Sequence, residues 1–403
     1  MGDFYQNGLV TTLHNFRERP YDELEKKLIH FSKKRPMSLV LPCLYSELSG
    51  PALELIINEL VKVPYLEEII IGLDKANKEE FDHAKKYFRR LPQHHRILWN
   101  DGPRLKNLDK LLIDMSIAPK EMGKGRNAWY CFGYFNASGR SEAVALHDCD
   151  IITYSRDMLG RLFYPVVDPT FNYKFCKGYY YRANDTQLNG RVARLLVTPL
   201  LRTLKRFFGN DDFLEFLDSF RYPLAGEFSM RADVTKTIRI PSDWSLEIGI
   251  LSEAIRNNAI GRICQVDIAD RYDHKHQELS EGDPNAGLSK MSTEISRAIF
   301  SKLATNGVVF SRGLIRSIKA CYNRVALDFL DQYYADAVLN GFTLDRHIEE
   351  QAIDLFSTNV YRAGEMFLDN PMQVPTIPSL KRVVSAIPDF YAKLREVVEL
   401  DNA

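Results

Sequence analysis

Long apolar runs are missing from this chain of 403 residues. No stretch approaches the roughly 20 consecutive apolar residues that a membrane-spanning helix needs, so no membrane partner is expected. The opening MGDFYQNGLVTTLHNF has no basic flank followed by an apolar region, so a secretory signal is not expected either. Cysteines are few and scattered, at 43, 131, 149, 176, 264 and 321, with no Cys-x-x-Cys. Such spacing suits neither a disulfide framework nor a zinc site, and it predicts reduced thiols in a cytoplasmic protein. A surplus of one charge is missing too. Lys+Arg and Asp+Glu are both 53, a formal net charge of zero, which argues against a broad nucleic-acid surface. There is no low-complexity tract and no repeat.

What is present is an ordinary globular composition, 45% hydrophobic, with a length that suits roughly two to three domains. Helical spacing of Leu24, Leu28 and Phe31 predicts an amphipathic helix over 21–35. Short apolar strands are then predicted at 37–41 (ended by Pro42), 68–73, 96–99 and 143–146, with helices over 51–63 and 81–90 and a loop leading into a helix over 123–135 between them. Alternating strand and helix predicts an α/β fold, a mostly parallel sheet with helices on both faces. In such sheets ligands bind beyond the carboxyl ends of the strands, where Pro42-Cys-Leu-Tyr45, Asp74, Lys124 and Asp148/Asp150 fall. The second half reads as an aromatic strand over 171–182, helices over 191–208 and 211–220, and a strand over 263–268. After about 288 the pattern is helical: 288–304, 313–338, 344–366 and 379–400. The turn-rich ELSEGDPNAG at 278–287 is the best boundary. The expected division is an N-terminal helical lead-in over 1–36, an α/β domain over 37–280 and a helical C-terminal extension over 281–403.

The chemistry begins at Val144-Ala-Leu-His-Asp-Cys-Asp150. In extended backbone, residues i and i+2 share a side, so Asp148 and Asp150 converge at the end of a buried strand. Paired carboxylates suit a hard divalent cation that shares its shell with phosphates, as sugar-nucleotide glycosyltransferases require, although Asp-x-Asp also occurs in many surface turns. Gly123-Lys-Gly125 opens a predicted helix; glycine lets backbone approach a ligand and Lys124 supplies a positive charge, the plainer alternative being an exposed basic turn. Gly190-Arg-Val192 also stands at a helix start, where Arg191 can offer two donors to a phosphate or simply face solvent. Tyr222-Pro-Leu-Ala-Gly-Glu-Phe228 is a turn small enough for main chain to approach a sugar, the plainer alternative being an ordinary β-turn. Glu247 stands at the start of an apolar helix, as a functional acid or as a cap. His274 or His276 can complete a metal shell begun by carboxylates, or belong to a surface loop.

Taken in order over 37–279, these segments resemble the glucosyl-3-phosphoglycerate synthases, retaining glycosyltransferases of the GT-A fold. Pro42-Cys-Leu-Tyr-Ser-Glu47 matches the family's loop after the first strand, Gly123-Lys124-Gly125 its Gly-Lys-Gly element, and Asp148-Cys149-Asp150 its Asp-Ser-Asp motif. Gly190-Arg191-Val192, Pro223-Leu-Ala-Gly-Glu227 and Leu246-Glu-Ile-Gly-Ile-Leu251 match three further elements. The chain departs from the family at Tyr45-Ser46, Leu73-Asp74-Lys75 and Ala225.

The resemblance implies a GT-A domain that is Rossmann-like, followed by the helical extension. It implies glucose transfer from a nucleotide-diphosphate sugar to 3-phosphoglycerate, with Mg²⁺ or Mn²⁺ held by Asp150, Asp148 and His274, His276 remaining the alternative third ligand. Pro42, Cys43, Leu44, Glu47, Lys124 and Asp148 would bind the donor. Gly190, Arg191, Val192 and Gly226 would bind the acceptor. Leu224, through its carbonyl, and Glu247 would act at the reacting sugar. The product would feed glucosylglycerate, a compatible solute. Mannosyl transfer, a free glycerate acceptor and nucleotidyl transfer are the rival reactions, and a silent scaffold is the rival non-enzyme. The apolar stripe Ile295, Ile299, Leu303 must be buried, against the α/β domain or in a homodimer.

Overall fold

The computed structural model describes residues 6, 8–16, 19–118, 122–184, 186–273, 283, 285–371 and 376–403. Ten strands are formed among them: β1 (Thr11–Leu13), β2 (Met37–Leu44), β3 (Leu66–Asp74), β4 (His94–Trp99), β5 (Ala143–Leu146), β6 (Phe175–Tyr180), β7 (Phe228–Arg231), β8 (Ile240–Pro241), β9 (Ile263–Ala269) and β10 (Thr376–Ile377). Eight build one sheet in the order β1-β9-β6-β7-β5-β2-β3-β4, in which β7 alone runs antiparallel to its neighbours. Sequence and sheet agree on why the centres of β2 and β3, 39–41 and 69–71, are apolar. Leu39, Leu41, Ile69 and Ile71 point into one core, with the helices Pro51–Leu60, Lys78–Phe88 and Arg156–Val167. Val40 and Ile70 point into the other, with Lys124–Ser138 and the C-terminal helices. A strand covered on both faces carries no polar alternation.

Pro42 does not end β2, contrary to the expectation. Strand β2 pairs with β5 only from Met37 to Val40, while its pairing with β3 runs on through Pro42 to Leu44. At Pro42 one edge of the strand has no partner strand, and a missing N–H is tolerated there. The expected helix at 379–400 is two helices, Leu380–Ala386 and Phe390–Asn402, because Pro388 falls between them. The helix expected over 191–208 starts as a π-helical turn, Val192–Val197, before Thr198–Phe208. Pro199 cannot donate to the Leu195 carbonyl four residues back, and the Tyr322 hydroxyl donates to it instead at 2.6 Å.

Strand β1 lies in the stretch read as a helical lead-in and pairs with β9 at the edge of the sheet. The helices Pro103–Asp114 and Arg156–Val167 were also not anticipated. The C-terminal segment packs on the sheet rather than standing apart. Leu288, Ile295, Ile299, Leu303, Leu380 and Leu394 share one core with Trp129, Phe132 and Phe135 of Lys124–Ser138. Strand β10 pairs with β8, and the Trp129 indole donates to the Pro378 carbonyl at 2.9 Å. At the open edge of β4, the Asn402 amide imitates a neighbouring strand: it accepts from Ile97 N–H at 3.0 Å and donates to Ile97 C=O at 2.8 Å. Among the described residues no helix is long and apolar enough to cross a membrane.

Candidate active site

The site is assembled where β2, β3 and β5 end. Strand β5 stops at Leu146, and the chain continues through buried His147 into Asp148-Cys149-Asp150. Burial, followed by repulsion from Asp148, pushes the Asp150 carboxyl up to about 7. Glu47, beyond the end of β2, and Glu227 raise it further. Cys43 and Cys149 are buried free thiols in hydrogen-bond contact, which sets the end of β2 against the acidic motif. At the end of β3 the buried Asp74 accepts from Asn100 at 2.8 Å and Asn127 at 3.0 Å. Its carboxyl is raised by burial, partly offset by those two bonds.

Lys124 is the hub. Its Nζ lies 2.7 Å from Asp148 Oδ1 and 3.2 Å from Glu247 Oε1. Burial by itself would depress the ammonium, but Asp148, Glu247 and Glu227 hold it above its ordinary value. Two glycines make this junction possible. A Cβ at Gly125 would stand 2.0 Å from the Pro241 carbonyl oxygen, and one at Gly249 would stand 2.1 Å from Pro241 Cγ. The N-termini of Lys124–Ser138 and Leu246–Asn257 therefore both close on β8, which delivers Lys124 to Glu247. Gly125 was expected to admit a ligand; its neighbour is protein backbone. Gly226 is pressed against the charges themselves, since a Cβ there would lie 2.5 Å from Asp148 Oδ2 and 3.1 Å from Lys124 Nζ.

The turn at 222–227 links this centre to Gly190. Gly190 has φ +76°, a left-handed conformation that favours glycine, and its position faces Arg182 and the Tyr222 hydroxyl. Arg191 follows, and its Nε bonds Glu349 Oε1 at 2.6 Å. Val192 is buried in the core, while Leu224 is half-buried beside it. Pro42 is half-buried and Leu44 exposed at the end of β2. His274 and His276 lie outside the described residues. Among the described residues, no three His, Cys, Asp or Glu side chains are grouped to hold a metal.

No protein-family model matches the chain. Two curated relatives align with it end to end. The glucosyl-3-phosphoglycerate synthase of Persephonella marina is 43% identical over 403 residues, covering 100% of both chains. That of Methanococcoides burtonii is 39% identical over 407 residues, covering 99% of this chain and 98% of the relative. The chain belongs to the glucosyl-3-phosphoglycerate synthase family. Its fold is GT-A. A solved glucosyl-3-phosphoglycerate synthase from Mycobacterium tuberculosis, in complex with Mn²⁺, UDP and glucosyl-3-phosphoglycerate, superposes with a TM-score of 0.54 at 19% identity, covering 75% of this chain and 89% of that one. The same protein with Mg²⁺ and UDP is 20% identical, also with a TM-score of 0.54.

Within this member of the glucosyl-3-phosphoglycerate synthase family, the donor set fits a hard cation. Two carboxylates crowd at one strand end, and the charge that raises Asp150 is the kind a divalent ion relieves. Residues to which the sequence assigned no role also build the centre. Glu227, fully buried, accepts from Tyr180 at 2.6 Å and Tyr272 at 2.7 Å, and the two rings stack 3.7 Å apart. Burial and Asp148 raise its carboxyl. Lys177 is fully buried, donates to the Ala225 carbonyl at 2.5 Å and is lowered to about 8 by burial. A lysine inside the aromatic strand Phe-Cys-Lys-Gly-Tyr-Tyr180 was the one sequence signal for it, because a charge in a buried strand needs a partner.

Proposed function

We propose that this chain is a metal-dependent retaining hexosyltransferase that moves glucose from a nucleotide diphosphate to the 2-hydroxyl of 3-phosphoglycerate, giving glucosyl-3-phosphoglycerate. One observation carries the reading: a chain 43% identical end to end to a synthase of that name brings Lys124, Asp148, Gly226 and Glu247 into contact at the ends of parallel strands.

Asp148, Asp150 and His274 would hold Mg²⁺ or Mn²⁺, which supplies Lewis-acid stabilisation of the departing diphosphate. Lys124 adds a fixed positive charge beside Asp148, so the chain meets the anionic donor with a cation already in place. Pro42, Cys43, Leu44 and Glu47 line the donor side at the end of β2. Arg191, with the backbone of Gly190 and Val192, grips the acceptor phosphate. Gly226, which lacks a Cβ, lets its main chain close on Asp148 and Lys124, and its backbone meets the glycerate there. The Leu224 carbonyl accepts the hydrogen bond of the attacking hydroxyl, and Glu247 orients the sugar from the other side of Lys124. The anomeric C–O bond to the diphosphate breaks, a C–O bond to the acceptor 2-oxygen forms, and the hydroxyl proton leaves with the nucleoside diphosphate. The proposed setting is a cytoplasmic homodimer that feeds compatible-solute synthesis.

A matrix of donors and acceptors, read as release of nucleoside diphosphate, tests the reaction. Glucose donors with 3-phosphoglycerate are expected to turn over fastest. A preference for mannose donors or unphosphorylated glycerate, or release of pyrophosphate, would replace this reading with one of its rivals. Arg191→Ala is expected to raise the acceptor KM on the order of tenfold and leave the donor KM unmoved.

A further inference from the structure

The C-terminal helices and the loop between two of them reach the acceptor side at three points. Thr343 N–H donates to the Thr186 carbonyl at 2.7 Å, and Gln187 forms a parallel bridge with Thr343. Tyr333, on the helix Arg312–Leu339, lies beneath the Arg194 guanidinium at 5.2 Å. Glu349, on the helix Arg346–Asp369, receives both arginines of the Gly190-Arg-Val-Ala-Arg194 segment: Arg191 Nε at 2.6 Å and Arg194 Nη2 at 3.0 Å.

The exposures separate the three charges. The Glu349 side chain is 3% exposed and that of Arg194 7%, while that of Arg191 is 33% exposed. Arg194 is tied down further by the Asn189 carbonyl at 2.8 Å. A carboxylate this buried beside two guanidiniums is strongly held, because removing it strands two positive charges. Arg191 is thus fixed through Nε alone among the described residues, and the rest of its planar fork is left for an anion.

Resting on the acceptor reading of Arg191, we propose that Glu349 is a positioning residue: from the C-terminal helices it clamps Arg191 Nε and so sets the fork that receives the acceptor phosphate. The extension then completes the acceptor site without touching substrate. The alternative, a carboxylate that only glues two helices together, makes a different prediction about Arg191, and a double-mutant cycle separates the two.

The test uses the full chain, 3-phosphoglycerate and the glucose donor that supports turnover. Glu349→Gln is expected to raise the acceptor KM on the order of tenfold with the donor KM unmoved. In an Arg191→Ala background the same change is expected to add nothing. Glu349→Asp, which keeps the charge but shortens the reach, is expected to fall between, and it serves should the glutamine variant fail to fold. Equal effects of Glu349→Gln with and without Arg191, or a joint rise of both KM values, would make Glu349 structural and overturn the proposal. Should Arg191→Ala leave the acceptor KM unchanged, the acceptor reading fails and this inference goes with it. Should Arg191→Ala raise it while both Glu349 variants do not, only this inference fails.

Discussion

The ammonium of Lys124 touches the first carboxylate of the acidic motif, 2.7 Å from Asp148 Oδ1, and closes the gap between that motif and Glu247. One monovalent charge serves several acids there, since Glu227 and Asp150 also feel it. A divalent cation and Lys124 therefore perform overlapping electrostatic work. Lys124→Met is expected to lower the melting temperature markedly in EDTA and much less with Mn²⁺ added. Equal loss in both conditions would show that the ammonium does not stand in for a cation.

Metal removal should act on turnover as well. EDTA is expected to abolish activity, and Mg²⁺ or Mn²⁺ to restore it. Asp150→Ala is expected to keep its fold and lose turnover by two orders of magnitude or more, taking roughly 3 kcal/mol as the worth of one preorganised charge contact. Steady-state rates beside circular dichroism check this. An active Asp150→Ala enzyme would remove the basis of the mechanism.

His147 gives a pH signature. Burial depresses its imidazole from 6.5 to about 3, and neither ring nitrogen has a hydrogen-bond partner among the described residues. The folded state thus binds the proton less tightly than the unfolded chain. The stability His147 contributes is present above pH 6.5 and is lost as pH falls toward 3, by at most about 1.4 kcal/mol per pH unit. Glu68 works in the opposite direction, because burial raises it to about 7, so its contribution is present below pH 4.5 and lost as pH rises through 7. Urea midpoints at pH 7 and pH 4.5, compared between wild type and His147→Phe, isolate the histidine. Stability at pH 7 minus stability at pH 4.5 should be lower in the variant, because Glu68 and Asp150, both raised to about 7, act in the opposite direction and are common to both proteins. An unchanged difference would mean that His147 titrates normally in the fold.

At the far edge, Asn402 makes two hydrogen bonds with Ile97 backbone. Asn402→Ala should cost about 1–3 kcal/mol in urea unfolding, two ordinary bonds' worth, without changing either KM. Ending the chain before Phe390 should do more, exposing the β4 edge and part of the core that holds Trp129 and Phe135. Light scattering is expected to report aggregation. A well-behaved, active truncation would show that the last helix is dispensable cover.

Sequence alone determined the layered α/β class, the strands around Val40, Ile70 and Leu146, and the acidic pair at the end of β5. Periodicity and strand-end chemistry are local, and each is written within about ten residues. It also marked Lys124, Gly226, Arg191 and Glu247 one by one, each with a plainer alternative beside it. What it left open was which of them meet. Pro241 decides that for Lys124 and Glu247, because two glycines 124 residues apart, Gly125 and Gly249, close on the same proline. Buried Lys177 and Glu227 carry chemistry that appears only when β6, β7 and the Tyr272 segment come together. The role of the extension was invisible for the same reason. Glu349 reads as one more charge on a helix, and only tertiary packing, which buries it between Arg191 and Arg194, turns it into the anchor of a site 158 residues away.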